Sequence, residues 1–406
     1  MKIARVRALE ILDSRGNPTL EARVELESGV VGIAQVPSGK STGKHEAHEL
    51  RDHDPARFRG LGVLKAAGKA ENILGPAVLG LDAEDQARVD ARLIEIDGTE
   101  DKSRLGANAI LAISCATARA AANAKQAPLW KHLAATAGTR PGMPVPMVNI
   151  ISGGHHAIGA RHANFQDFMV IPRGYADLSA ALEAVVRVHT QTHKALLTEG
   201  FAINGVADEG GWGPDLPGNE AGLAILRQSI DDAGAQMDIA LDIAATHFFR
   251  GTAPEMTTML APWIDRYGIV SIEDPLPEDD WSGWVELTSR LGSKVRLVGD
   301  DLFVTNLARL NRGVAEGAAN SVLVKMNQIG TLTETFAVVK HAAEAGYGAV
   351  ISARSGETED SFLADLAVAS GAGQIKIGSI TRSERLAKYN RLLAIEKWEL
   401  QKPTSD

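Results

Sequence analysis

The sequence DIALD at residues 238–242, followed by IVSIE at 269–273 and VRLVGD at 295–300, decides the fold of this chain. Each stretch is a short apolar run that ends in an acidic residue. The pattern continues with runs that end in basic or polar residues: SVLVK at 321–325, AVISAR at 349–354 and QIK at 374–376. Counted to Ala353 in the fifth run, successive end residues lie 31, 27, 25, 28 and 23 positions apart, which is close to the length of one strand plus one helix. This alternation predicts a parallel sheet with helical crossovers, closed into an α/β barrel of TIM type.

The first third of the chain has a different pattern. Residues 3–36 have the alternation and turn residues of strands, whereas residues 65–132 are helical and rich in alanine. The stretch 135–146 is rich in Gly, Pro and Thr, which makes it the candidate boundary. We therefore predict an N-terminal α+β domain at 1–135 and a barrel domain at 136–406.

The composition narrows the class of protein. The chain has 406 residues, of which 45% are hydrophobic and 23% charged, as in ordinary globular proteins. Its formal net charge is −9 and it has no block of basic residues, so nucleic acid is not an expected partner. Cys115 is the single cysteine, which excludes an intrachain disulfide. No signal-like or membrane-spanning apolar segment occurs, so we expect no membrane association and a cytoplasmic location.

Three acidic residues end successive predicted strands. Asp242, Glu273 and Asp300 should meet at the C-terminal rim of the barrel, where barrels of this type keep their chemistry. Three neighbouring carboxylates repel one another unless a cation neutralises them, and carboxylate oxygens suit Mg²⁺. The alternative interpretation is that each acid only caps the helix that follows it. We predict that they bind one or two magnesium ions.

Two lysines, Lys325 and Lys376, end later strands on the same rim. A lysine beside other cations has a lowered pKa and can act as a base near neutral pH. The alternative is a pair of rim salt bridges. Beside a metal that binds a substrate carboxylate, these lysines favour abstraction of the proton α to that carboxylate.

Two loops are expected to lie over this rim. The loop at 36–43 is rich in glycine and hydroxyl groups and could close over a phosphate, although its spacing is not that of a P-loop. The second loop carries four basic or titratable side chains in eight residues, namely His155, His156, Arg161 and His162. Together they indicate a small anionic substrate that carries a carboxylate and a phosphate.

The sequence resembles the enolase (phosphopyruvate hydratase) family over nearly its whole length, and the matching stretches occur in the same order as in that family. The matching stretches are 13–19, 36–39, 105–109, 208–211, 271–274, 299–302, 327–331 and 354–360. The resemblance implies an enolase-type barrel with an N-terminal capping domain. It also implies a homodimer, bridged by residues that match Arg15 and Glu396.

The resemblance also implies a role for individual side chains. Asp242, Glu273 and Asp300 match the ligands of the first Mg²⁺, and Ser41 matches a ligand of the second. Lys325 matches the general base, and Glu209 matches the acid that assists departure of the C3 hydroxyl. The matching substrate contacts are Lys376 for the carboxylate, Arg354 and Ser355 for the phosphate, and His156 and Gln166 beside the substrate.

The sequence departs from the family at the phosphoryl end of the substrate. Ala353 replaces a histidine that touches the phosphate, and a lost charge-assisted hydrogen bond there costs about 1.5–3 kcal/mol. Asp167 replaces a glutamate that assists the leaving group. The loop 154–166 is two residues longer than usual, and Lys40 replaces a small residue. Lys40, His155, Arg161 and His162 are therefore the candidates for altered substrate contacts.

Three functions remain open at this point. The first is an enolase that interconverts 2-phosphoglycerate and phosphoenolpyruvate. The second is an enolase homologue of phosphonate natural-product biosynthesis, similar to the carboxyphosphonoenolpyruvate synthase of phosphinothricin-type pathways. The third is a non-catalytic scaffold or surface-binding protein, against which the complete set of Lys325 and three acids argues.

Overall fold

The computed structural model describes residues 1–40, 43–156 and 163–400. Its N-terminal part begins with an antiparallel sheet of three strands: β1 (Ile3–Leu12), β2 (Pro18–Leu26) and β3 (Val31–Gln35). In the turn between the first two strands, Asp13 Oδ1 accepts the backbone N–H groups of Arg15 at 2.8 Å and Asn17 at 2.9 Å. The strands predicted for residues 3–36 are thus present. In the turn, the Asp13 carboxylate satisfies backbone N–H groups that have no partner in the strand ladder.

The helices predicted between residues 65 and 132 follow this sheet. They are α1 (Leu64–Lys69), a π-helical turn (Ala70–Leu74), α2 (Gly75–Val78), α3 (Gln86–Asp97), α4 (Ala107–Ala124) and α5 (Leu129–Ala137). Helix α4 is buried along nearly its full length and packs on β2 and β3. Its alanines let the sheet approach closely: a Cβ at Gly32 of β3 would lie 2.1 Å from the carbonyl oxygen of Ala116. Helix α5 continues to Ala137, so the predicted division after residue 135 lies inside the last turn of this helix, and the rest of the Gly-, Pro- and Thr-rich stretch leads into β4.

Ten further strands form one sheet. They are β4 (Val145–Ser152), β5 (Asp167–Pro172), β6 (Ile203–Val206), β7 (Trp212–Pro214), β8 (Met237–Asp242), β9 (Ile269–Glu273), β10 (Arg296–Gly299), β11 (Ser321–Val324), β12 (Gly348–Ser352) and β13 (Gly373–Gly378). Eight of them, without the β6–β7 hairpin, follow the order β4-β5-β8-β9-β10-β11-β12-β13, and pairing of β13 with β4 closes the barrel. The α/β barrel and the six repeat strands predicted from the sequence are confirmed.

One barrel strand runs against the others. Strand β5 pairs antiparallel with both β4 and β8, whereas the other barrel pairs are parallel. No helical crossover separates β4 from β5 in the described residues, and consecutive strands without a crossover must run in opposite directions. The six repeat strands are parallel to one another, as the sequence predicted, and β5, which is not one of them, is the antiparallel strand.

Helices cover the outside of the barrel. They are α6 (Leu178–Thr198), α7 (Asn219–Asp232), α8 (Ala253–Tyr267), α9 (Trp281–Leu291), α10 (Leu307–Glu316), α11 (Met326–Ile329), α12 (Leu332–Glu344), α13 (Phe362–Ser370) and α14 (Ser383–Ala394), followed by a π-helical segment (Ile395–Leu400). Buried apolar side chains such as Met169, Val298 and Leu323 fill the barrel interior. The barrel is therefore a packed core, and polar chemistry is confined to its ends. Within the described ranges, no helix is long and apolar enough to cross a bilayer.

Candidate active site

The C-terminal ends of five barrel strands bring the predicted charged residues together. Asp242 and Glu273 are the last residues of β8 and β9 and are register partners. Asp300 and Lys325 directly follow β10 and β11, and Lys376 lies in β13. All five side chains are at least four-fifths buried, so their charges interact in a poorly solvated environment. We call them the strand-end cluster.

The two lysines bind the three carboxylates of the strand-end cluster. Lys376 Nζ lies 2.8 Å from both Asp242 Oδ2 and Glu273 Oε2, and Lys325 Nζ donates to Asp300 Oδ2. Burial lowers the pKa of Lys376, but the two carboxylates outweigh burial and raise that pKa well above its ordinary value. Asp300 likewise outweighs burial and raises the pKa of Lys325. The lowered lysine pKa expected from the sequence is not found in this arrangement, because the nearest partners of each lysine are anions.

The donor atoms of the strand-end cluster fit a hard divalent cation. Burial and the charge of Asp242 raise the pKa of Glu273 well above its ordinary value, which reflects too little positive charge around these oxygens. Gln166 adds to the set: its Nε2 donates to Asp242 Oδ2 at 3.0 Å, and its buried Oε1 has no hydrogen-bond partner among the described residues. Carboxylate and amide oxygens are the ligands that Mg²⁺ prefers.

Two residues that sequence reasoning missed hold Asp300 in place. Asp274 accepts the backbone N–H groups of Asp300 at 2.9 Å and Asp301 at 2.8 Å, and Gln328 Nε2 donates to Asp300 Oδ1 at 2.8 Å. The ligand atoms of Asp274, Asp300 and Asp301 lie within 4.8 Å of one another, which makes them one of two groups with metal-like spacing in the described chain. Burial raises the pKa of Asp301 to about 8 and that of Asp274 well above its ordinary value.

The second such group is His156, Asp167 and Glu209, in which Asp167 of β5 is the register partner of Asp242 in β8. His156 Nδ1 lies 3.1 Å from both oxygens of Asp167, and its Nε2 lies 3.9 Å from Glu209 Oε1. Burial lowers the pKa of His156, but the two carboxylates outweigh it and raise that pKa to about 9. This arrangement of two carboxylates therefore favours the imidazolium form of His156 near neutral pH. We call this group the acid triad.

Asp167 is the fixed point of the acid triad. It is fully buried at the start of β5 and accepts hydrogen bonds from Asn149 Nδ2 and, at 3.3 Å, from Ser152 Oγ. Asn149 and Ser152 belong to β4, the antiparallel neighbour of β5. Sequence reasoning missed both residues, since ordinary polar residues inside an apolar strand carry no recognisable motif.

The residues expected at the phosphoryl end follow β12. The Arg354 guanidinium lies 2.9 Å from Glu46 Oε2 and 3.0 Å from Asn327 Oδ1. Ser355 Oγ accepts the backbone N–H of Lys40 at 3.0 Å. Ala353 is buried beside them. Glu46, which the sequence analysis did not single out, thus joins the N-terminal part to this end of the site.

The two altered loops contact each other above the rim. Lys40 Nζ donates to the backbone oxygen of His155 at 2.9 Å and to Asp208 Oδ2 at 3.2 Å. The His155 ring stacks on that of His247, with centroids 4.2 Å apart. Neither Lys40 nor His155 lines the central cavity, so their predicted contacts with substrate stay predictions.

Three other candidates, Ser41, Arg161 and His162, lie outside the described residues. Of the two residues expected to bridge a homodimer, Arg15 donates to Ser355 Oγ at 3.2 Å, and Glu396 accepts the backbone N–H of Leu178 at 3.1 Å. Both contacts are within one chain, and the homodimer stays a prediction.

A small polar cavity lies between the strand-end cluster and the acid triad. It has a volume of about 20 Å³, room for about one water molecule. Its lining contains residues of both groups together with the phosphoryl end: His156, Gln166, Glu209, Asp242, Lys325, Ser352, Ala353, Arg354, Ser355 and Lys376. A substrate can enter only if the lysine side chains leave their carboxylate partners.

A barrel with carboxylates, lysines and an acid triad around one polar cavity at its C-terminal rim has the arrangement of an acid–base enzyme. The comparison with protein families identifies the particular member of this class. Residues 3–133 match the family model "Enolase, N-terminal domain" and residues 141–403 match "Enolase, C-terminal TIM barrel domain". The chain belongs to the enolase family, as the resemblance in the sequence predicted.

Proposed function

We propose that the chain is a magnesium-dependent carbon–oxygen lyase that converts 2-phosphoglycerate to phosphoenolpyruvate. The observation that carries the proposal is that Lys325 lines the same cavity as His156 and Glu209 of the acid triad. A β-elimination needs a base at C2 and an acid at the C3 hydroxyl, and these are the two kinds of group that the cavity presents.

Asp242, Glu273 and Asp300 are the residues that would hold Mg²⁺, with Gln166 Oε1 as a further oxygen beside them. When bound, the cation neutralises these carboxylates and stabilises the negative charge that builds up on the substrate carboxylate. The buried lysines already supply positive charge at the same oxygens, and this supports a cation requirement at the cluster.

Lys325 is the proposed base. Its Nζ accepts the proton from C2, and the electron pair of the broken C–H bond moves toward the carboxylate. Only the neutral amine can do so, and Asp300 now holds it in the charged form. The reaction therefore requires that the contact between Lys325 and Asp300 is broken before proton transfer.

The acid triad is proposed to assist the leaving group. The C3–O bond breaks as the C2=C3 double bond forms. The hydroxyl leaves as water because it takes a proton from the acid triad. Glu209 lines the cavity, and Asp167 holds the His156 imidazolium between itself and Glu209. The buried Asp167 thus fixes the charge of the triad although it is not among the residues that line the cavity.

A second candidate function has one observation in its favour. Ala353 provides no hydrogen-bond donor in the cavity wall, and Lys40, which also departs from the family, donates its backbone N–H to Ser355 Oγ at the same end. A substrate with a different phosphoryl end would fit such a rebuilt wall. The candidate is an enolase homologue of phosphonate natural-product biosynthesis, similar to carboxyphosphonoenolpyruvate synthase.

The test is direct. Purified protein is mixed with 2-phosphoglycerate and Mg²⁺, and the enol product is followed by its ultraviolet absorbance, with a chelator-treated sample as control. Magnesium-dependent turnover supports the first function. Exchange of the C2 proton with solvent deuterium but no elimination would contradict it and favour the second, since proton abstraction then works while the leaving group is mismatched.

A further inference from the structure

A second cavity lies where the N-terminal helices pack on the barrel. It is formed by α3, α4 and α5 on one side and by α12 on the other, and it shares no lining residue with the active-site cavity. Its volume is about 250 Å³, larger than the roughly 150 Å³ engineered apolar cavity that binds benzene. Most of its wall is apolar: Ala87, Ala118, Leu133, Ala137, Leu332, Phe336 and Ala337. It has room for one aromatic ring.

One polar atom in this wall lacks a partner. Gln86 is 4% exposed, and its Nε2 donates to Asp90 Oδ1 at 2.9 Å and to Ser114 O and Oγ at 3.1 Å. Asp90 Oδ1 and the Ser114 carbonyl only accept, so the amide cannot be turned around. Its Oε1 is buried and accepts no hydrogen bond from the described residues. This oxygen has almost no accessible surface, so a ligand in the cavity that donates a hydrogen bond satisfies it after a small shift of the Gln86 side chain.

A second polar group lies in the same wall. His132 of α5 is 5% exposed, and its ring makes no hydrogen bond to any residue that the structure describes. Burial, helped by the charge of Lys125, lowers the pKa of His132, so the ring is neutral at neutral pH. A neutral imidazole has one donor and one acceptor nitrogen. Gln86 and His132 together therefore complement a hydroxyl group, which both donates and accepts.

The mouth of the cavity carries a positive charge. Lys340 is exposed on α12 and lines the cavity, and the contact from its Nζ to the backbone oxygen of Ala137 is long, at 3.4 Å. An anionic group at the mouth would meet this ammonium without the cost of full burial.

We propose that this cavity binds a small aromatic carboxylic acid that carries a hydroxyl group. The ring packs among Leu133, Leu332 and Phe336, the hydroxyl bonds Gln86 and His132, and the carboxylate faces Lys340. The inference does not depend on the reaction catalysed at the barrel mouth.

Occupancy should stabilise the contact between the two parts of the chain. Helix α12 begins two residues after Gly330, the C-cap of α11, and the backbone N–H of Leu332 donates to Ser114 Oγ of α4 at 3.1 Å. A ligand held between α12 and α5 adds contacts that exist only in the folded protein, so it raises the melting temperature with concentration.

The experiment measures binding of 4-hydroxybenzoate to the full chain by calorimetry, with benzoate as the probe that lacks the hydroxyl. We expect saturable binding with one site, and at least tenfold weaker binding of benzoate. Ala337→Phe fills the cavity and should abolish binding, whereas Ala343→Phe, on the exposed side of α12, should leave it unchanged. Circular dichroism checks that both variants fold.

Lys340→Met replaces an exposed side chain, so the variant should fold. Lys131→Met, also at an exposed lysine, is the matched control. The first should weaken 4-hydroxybenzoate binding several-fold and raise the relative affinity for phenol; the second should do neither. The absence of saturable binding up to about 10 mM overturns the proposal. So does binding that persists in Ala337→Phe, or benzoate binding as tight as that of 4-hydroxybenzoate.

Discussion

Replacement of Asp167 by asparagine changes one charge of the acid triad while it keeps the shape of the side chain. Asp167 is fully buried and both its oxygens lie 3.1 Å from His156 Nδ1. The pKa of His156 is about 9, against about 6.5 for an ordinary histidine. Loss of one adjacent charge lowers a pKa by about 1–3 pH units, and burial then acts in the same direction. We therefore expect the pKa of His156 to fall from about 9 to about 6–8 in Asp167→Asn.

The same shift sets a pH dependence of stability. A pKa raised in the folded state stabilises the protein fully below the unfolded pKa of about 6.5, and this contribution is lost as the pH rises through about 9. The difference of about 2.5 pH units corresponds to about 3 kcal/mol. The metal-free wild type should therefore lose about this much between pH 6.5 and pH 9 from His156 alone, and Asp167→Asn should lose much less.

The assay is an NMR titration of the His156 ring in chelator-treated protein, with urea unfolding at both pH values. Asp208→Asn is the matched control, since it removes a nearby carboxylate that binds Lys40 rather than His156. The reasoning is refuted if His156 titrates near 6.5 in the wild type, or still near 9 in Asp167→Asn.

Four further predictions follow from other parts of the structure. Glu273→Gln should weaken Mg²⁺ binding at least tenfold in calorimetry with the fold intact; unchanged affinity would remove Glu273 from the metal site. Lys325→Ala should stop exchange of the substrate C2 proton with deuterated solvent even where substrate still binds, and exchange at the wild-type rate would exclude it as the base. Ala353→His should raise turnover of 2-phosphoglycerate about tenfold, or about 1.4 kcal/mol, if that is the substrate; strong wild-type activity without dependence on this position would contradict the argument. Gly32→Ala places a Cβ 2.1 Å from the Ala116 carbonyl oxygen and should lower the free energy of unfolding by about 1–3 kcal/mol or more in urea, whereas an unchanged unfolding midpoint would show that β3 and α4 are not in close contact.

Much of the barrel could be predicted because its signal is local. An apolar run that ends in a polar residue, repeated at the length of a strand–helix unit, identifies the strand ends at Asp242, Glu273 and Asp300 wherever the rest of the chain lies. The direction of β5 has no such signal. It depends on the connection between β4 and β5, whose described residues form no crossover helix and whose sequence resembles that of any long connection.

The sequence by itself determined the architecture, the order of the strands and the charged residues that meet at the rim, because periodicity and strand ends are properties of neighbouring residues. Only the tertiary structure decided which of these charged and polar side chains bind one another. It placed Lys376 between Asp242 and Glu273, held Asp300 with Gln328, and set the His156 imidazolium beside Asp167. These partners are up to 134 positions apart in the chain. Which ammonium binds which carboxylate depends on distances of a few ångströms, and these distances are set only when the barrel has folded.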